Sequence, residues 1–135
     1  TPFSNVMNPT RDVPLFLSLT VDLGFNAYKT AVSCPIAGIK GYGGAMGPAQ
    51  FIPSTWNIFS GRLKNILGYV ANPWSPKDAF MASGMYLSDL GATGNSASSQ
   101  QRAACRYYGS GGSSCSYSRS VMKLKGSIQA NIDLL

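Results

Sequence analysis

The stretch from Gly41 to Trp56, GYGGAMGPAQFIPSTW, constrains this chain more than any other part of it. Four glycines fall between Gly41 and Gly47, and two prolines, Pro48 and Pro53, follow. Glycine permits backbone conformations and close approaches that a Cβ blocks. Proline fixes φ and lacks an N–H, which suits the first turn of a helix. The stretch therefore reads as a glycine-rich loop, a short helix carrying Gln50, and a new helix starting near Pro53. Gln50 is the one long polar residue between the prolines. Two readings stand for it: an amide on a wall that something polar lies against, or a tight packing corner with the amide bonded to backbone.

Elsewhere apolar residues recur at helical spacing, and no run alternates as a half-buried strand would. Asp12 as N-cap, Pro14 in the first turn, Phe16, Leu19 and Leu23 on one side, and Gly24 as a stop predict a helix over 13–23. Trp56, Phe59, Leu63, Ile66 and Leu67 continue the helix from Pro53, with Gly61 placed to interrupt it. Ser75 as N-cap, Pro76 at the first position and Asp78 as a shortened capping box start a helix over 76–90. Its face carries Ala79, Ala82, Tyr86 and Leu90, with Phe80 and Leu87 beside it. Residues 91–99 read as a linker and 100–108 as a short helix. Tyr117, Val121, Leu124, Ile128, Ile132 and Leu135 form one stripe of a helix over 117–134, which crosses Gly126 at some cost. Residues 1–10 and 25–40 read as irregular, with Val32 to Pro35 a short extended piece. The expectation is an all-α fold in which residues 1–135 are one domain or a piece of one.

Composition excludes several chemistries. The chain has no histidine, which removes Ser-His-Asp and Cys-His catalysis and most zinc sites. Its only acids are Asp12, Asp22, Asp78, Asp89 and Asp133, so it has no glutamate. No phosphate-loop, dinucleotide or metal-ligand pattern occurs, and no cofactor or metal is expected. No apolar run is long enough for a transmembrane helix, and no signal-peptide pattern is present. The net charge of +6 favours an anionic partner. The basic residues are scattered, and the one run, Arg119, Lys123 and Lys125, reads as a solvated helix face; no nucleic acid is expected as partner. Of three cysteines, Cys105 and Cys115 bracket a Gly/Ser-rich loop. They are a disulfide candidate, buried free thiols being the alternative, and Cys34 is then left over.

The segment GGAMGPAQFIPSTW, Gly43 to Trp56, resembles the signature of the lytic transglycosylases that cleave peptidoglycan, in the branch similar to membrane-bound lytic transglycosylase B. The segments ASGMYL around Tyr86 and RYYG from Arg106 resemble the family's later motifs. The resemblance implies a lysozyme-like α-helical domain outside the cytoplasm, in the periplasm, cell envelope or secreted. Its partner is the peptidoglycan glycan strand, cut between N-acetylmuramic acid and N-acetylglucosamine to leave a 1,6-anhydro ring. On that resemblance Gln50 hydrogen-bonds the saccharide and Gly47 lets the backbone approach it, while Met46 packs. Tyr86 lines the cleft, a core tyrosine being the alternative. Tyr107, with Tyr108 as the alternate, helps position the catalytic acid. Tyr42 and Trp74 are candidates for stacking on sugar, with core packing the alternative for Trp74.

One departure bears on mechanism. The reaction needs a carboxylic acid of raised pKa in a largely apolar cleft. In the family this is a glutamate on a helix preceding the glycine-rich motif, and none is present here, so no catalytic residue is assigned. Asp12 reads as a cap, Asp78 as a first-turn residue, and Asp22, Asp89 and Asp133 lie near helix ends. Three explanations stand: a fragment of a larger enzyme, lacking the N-terminal part that holds the acid; one part of a site completed by another polypeptide; or a non-catalytic glycan-binding module. The expectation is the first, with residues 1–135 as the C-terminal part of a single lytic transglycosylase-like domain that is inactive alone.

Overall fold

The computed structural model describes residues 2–109, 112 and 114–135. Among these the chain is all-α, with six α-helices, a 3₁₀ turn at Ala27–Lys29 and no strand. The helices are α1 (Phe3–Val6), α2 (Val13–Asp22), α3 (Pro53–Leu67), α4 (Pro76–Asp89), α5 (Ala97–Tyr108) and α6 (Ser116–Ile132). They fall into two compact units divided at Ser83 and Gly84, within α4.

In the first unit α2 packs on α3. Proline stands in the first turn of each, where its missing N–H costs nothing. Pro53, Trp56, Phe59 and Leu63 form the buried stripe of α3, and Phe16 and Thr20 that of α2. Thr20 Oγ1 donates to the Phe16 carbonyl at 3.0 Å, so its hydroxyl is satisfied inside. One aromatic cluster joins Phe3 to Phe16 (ring centroids 4.9 Å apart) and Phe16 to Trp74 (6.3 Å); another joins Phe51 to Trp56 (5.5 Å) and Phe59 (6.0 Å). Each such ring taken from water contributes about 1.5–3 kcal/mol.

In the second unit α5 and α6 pair as an antiparallel hairpin. Tyr108 stacks on Tyr117 at 4.8 Å, and at the other end Lys125 Nζ donates to Gln100 Oε1 at 2.7 Å. A Cys105–Cys115 disulfide joins the two helices, with Cα atoms 5.9 Å apart. Cys115 also opens α6 through a capping box with Ser118, whose Oγ accepts from the Cys115 N–H at 3.1 Å. Arg106 Nη1 donates to the Leu90 carbonyl at 3.1 Å, just past the C-terminal end of α4, where a cation suits the helix dipole. The exposed Cys34 is a free thiol.

Several expectations need correction. Residues 47–50 form a tight turn, not the short helix expected to carry Gln50. Residues 1–10 are not wholly irregular: α1 forms there because Phe3 and Val6 are buried, at 4% and 5% exposure. Gly61 does not interrupt α3, since its flank is open and the helix runs through it. Helix α5 starts at Ala97, inside the expected linker, because the Ser96 hydroxyl caps the Ser99 N–H. The expected helix over 117–134 is present as α6; of its apolar stripe Val121 is half-buried, whereas Leu124, Ile128 and Ile132 are 61%, 58% and 53% exposed. Part of the Gly/Ser loop between the cysteines lies outside the described residues.

Candidate functional site

The glycine-rich segment is clamped before it turns. The Gly43 N–H donates to the Val6 carbonyl at 2.7 Å and the Gly44 N–H to the Ser33 carbonyl at 2.8 Å. Ser33 in turn bonds Ala45 through both backbone and hydroxyl, so the expected extended piece around it has a partner. A Cβ on Gly43 would meet the Ser33–Pro35 backbone at 2.5–2.6 Å. These glycines serve close packing of backbone on backbone.

Beyond the clamp, Met46 and Phe51 face each other across an antiparallel bridge, the Met46 N–H donating to the Phe51 carbonyl at 2.8 Å. Both side chains are buried, at 0% and 3% exposure, and fix the base of the turn. At the tip Gly47 has φ +61°, and a Cβ there would run into the Pro73 carbonyl. The close approach at Gly47 is thus made to the Pro73–Trp74 backbone. Pro48 supplies the fixed φ that a turn's second position favours.

Gln50 closes the turn at φ +57°, the only positive φ on a non-glycine among the described residues. That conformation costs an L-residue roughly 1–2 kcal/mol. Its side chain is exposed, and Nε2 donates to the Gly47 carbonyl at 2.8 Å. The bond engages Nε2 and leaves Oε1 without a bond to the protein among the described residues. The amide is thus bonded to backbone, as in the packing-corner reading, while the side chain is exposed. Tyr42, just before the clamp, is 58% exposed. Trp74 is a packing residue: its ring meets Phe16 and Phe25 edge-on, and its Nε1 donates to the Ala31 carbonyl at 2.9 Å.

In the second unit Tyr86 on α4 and Tyr107 on α5 come together, half-buried, with ring centroids 5.1 Å apart at 42°. Tyr108 faces the other way along the hairpin, stacked on Tyr117 and 58% exposed. The structure therefore separates the two tyrosines of RYYG: Tyr107 joins Tyr86, and Tyr108 does not.

Asp12 is fully buried, and burial by itself pushes its carboxyl up. Hydrogen bonds from Arg11 and from Ser54, with the Arg11 charge, outweigh this and hold it below the ordinary range. Although it stands at the N-cap position of α2, its carboxylate makes no cap bond there; Oδ1 accepts from the Ser54 N–H at 3.0 Å, in the first turn of α3. Asp78 is buried with both oxygens engaged, by Tyr69 Oη at 2.9 Å and the Asn72 N–H at 3.0 Å. Asp133 accepts from Gln129 Nε2 on the exposed end of α6. Asp22 and Asp89 are exposed at the ends of α2 and α4.

Among the described residues no three potential metal ligands cluster, and no helix is long and apolar enough to cross a membrane. The Cys105–Cys115 disulfide fits an oxidising compartment. The roles of Asp12 across helices and of Trp56 between α2 and α3 are not read from the sequence, because both depend on contacts between these helices. Comparison with protein-family models, with curated proteins and with solved structures finds no match.

Proposed function

We propose that this chain supplies the substrate wall of a lysozyme-like lytic transglycosylase domain acting on peptidoglycan, with its proton donor coming from outside these residues. The observation that carries the reading is Gln50, an exposed amide in a left-handed conformation, locked to Gly47 and seated on the buried pair Met46 and Phe51. Backbone strain on a non-glycine residue is retained where the surroundings impose it, and it gathers at binding sites. A rigid, exposed amide can bond an N-acetyl group or a sugar hydroxyl without first being ordered. The pairing of Tyr86 with Tyr107 supports the same reading, since it brings together two of the tyrosines that the resemblance places in the cleft. Peptidoglycan is anionic, in keeping with a net charge of +6.

The lack of glutamate in this sequence and the lowered Asp12 carboxyl favour a second reading, a peptidoglycan-binding module without catalysis. The gene sequence preceding Thr1 separates the two: a glutamate on a helix there supports the enzyme, and its absence supports the module. The shared premise is tested through Gln50. Gln50→Gly relieves the backbone strain and removes the amide, so stability should stay within about 1 kcal/mol of the parent. Retention on purified cell-wall sacculi should fall roughly tenfold, the effect of one lost hydrogen bond at about 1.4 kcal/mol. Unchanged retention with an intact fold removes Gln50 from the site.

A further inference from the structure

Between α2 and α3 lies a groove of about 180 Å³. That is the share of about six waters, room for one amino-acid-sized molecule and not for a drug-sized one. Its apolar side is formed by Leu15 and Leu19 of α2, Trp56 of α3 and Val70. Its polar side includes Asp22 on α2 and Asn57 and Lys64 on α3.

Three features set this groove apart from a packing defect. Asp22 and Lys64 have opposite charge and line the same groove, yet no ion pair joins them. Asp22 is also the last residue of α2, where the helix dipole disfavours an anion, so the helix gains nothing from it. Finally, Trp56 is 2% exposed, and its indole Nε1 is the one buried side-chain donor without a partner among the described residues. Such a group calls for an explanation.

We infer that the α2–α3 groove binds a small zwitterion with an apolar side chain, an amino acid or the equivalent end of a short peptide. Asp22 takes the ammonium group, Lys64 and the Asn57 amide take the carboxylate, and Leu15, Leu19 and Val70 receive the side chain. One charge of each sign selects against a simple anion or cation. The indole ring is covered, so it offers no stacking platform, which speaks against a sugar. This site is distinct from the Gln50 turn and does not rest on the transglycosylase reading.

The test uses the whole chain, labelled with nitrogen-15, and three probes: leucine, N-acetylleucine, which lacks the ammonium group, and leucine amide, which lacks the carboxylate. Leucine should shift the backbone amides of Asn57, Gly61 and Lys64 and the Trp56 indole N–H. The two blocked forms should bind at least roughly tenfold more weakly, since each leaves one charge in the groove unmatched. Asp22→Asn should weaken leucine and leave N-acetylleucine unchanged; Lys64→Met should weaken leucine and leave leucine amide unchanged. Both positions are exposed, so these variants keep the fold. The inference is overturned if millimolar leucine shifts none of these signals, if the three probes bind equally, or if N-acetylglucosamine shifts them while leucine does not.

Discussion

Asp12 shows how one side chain ties two helices together. It is fully buried, pairs with the half-exposed Arg11 and accepts the Ser54 N–H of α3. Asp12→Ala removes a cap from α3 and leaves that N–H without a partner, at a cost of about 2 kcal/mol in urea unfolding at pH 7. The remaining Arg11 charge is solvated and adds little. The pH dependence has a definite sign. Because the folded carboxyl sits below its ordinary value, the unfolded state takes up the proton first as pH falls. The contribution of Asp12 is therefore full above about pH 4 and is lost below it, as pH drops through the lower folded value. The gap between Asp12→Ala and the parent should close across that acid range, and a constant gap would mean the charge does no work. Gly47 makes the complementary case. Gly47→Ala forces a side chain into a left-handed conformation and against the Pro73 carbonyl, and should cost at least about 2 kcal/mol. Glycine enrichment marked residues 41–47 as a place of close backbone approach. The surfaces approached, at Ser33 to Pro35 and at Pro73, are far along the chain and leave no local signal.

At the scale of elements, the long helices were readable because their starts are chemical. Pro14, Pro53 and Pro76 open α2, α3 and α4, and the expected spans agree with these helices within a residue or two. Short pieces were not. Four residues of α1 hold no period, and the segment around Pro48 has a proline that suits a helical first turn and a β-turn equally. Periodicity also says that a helix has an apolar stripe, not what covers it. Tyr108 lies against Tyr117 and Gln100 against Lys125, so α5, starting at Ala97, reaches about as far as Ile128 and leaves the last turn of α6, with Ile132, uncovered by it. The disulfide holds this hairpin at its closed end. Closing so short a loop restricts the unfolded chain by about 2–3 kcal/mol. Replacing Cys105 and Cys115 together by serine should lower the unfolding free energy by that amount, with the loss read in the urea midpoint. In the native protein iodoacetamide should label the exposed Cys34 and spare the bonded pair until a reductant is added.

At the scale of the whole molecule, the function proposed above separates the substrate wall from the proton donor. On that proposal Gln50, held on buried apolar side chains, binds without chemistry being completed, and the buried Asp12 carboxyl is held below its ordinary range. Two contributions to wall binding should then be separable in one experiment. The first is charge, +6 against an anionic polymer; it is screened as the Debye length falls from about 10 Å at 0.1 M salt to about 3 Å at 1 M. The second is the neutral amide, which salt leaves alone. Retention on purified sacculi should fall steadily with sodium chloride for the parent and for Gln50→Gly alike, the variant's curve displaced downward with the same slope. If the variant changed the slope, Gln50 would be acting through the charge distribution and not as a hydrogen-bonding group. In the same tubes mass spectrometry should find no anhydro-muropeptides released by this chain alone. Their appearance would show that an aspartate has been recruited as the acid. Asp22, exposed at the groove between α2 and α3, is the first to replace, and Asp22→Asn would then have to abolish the product.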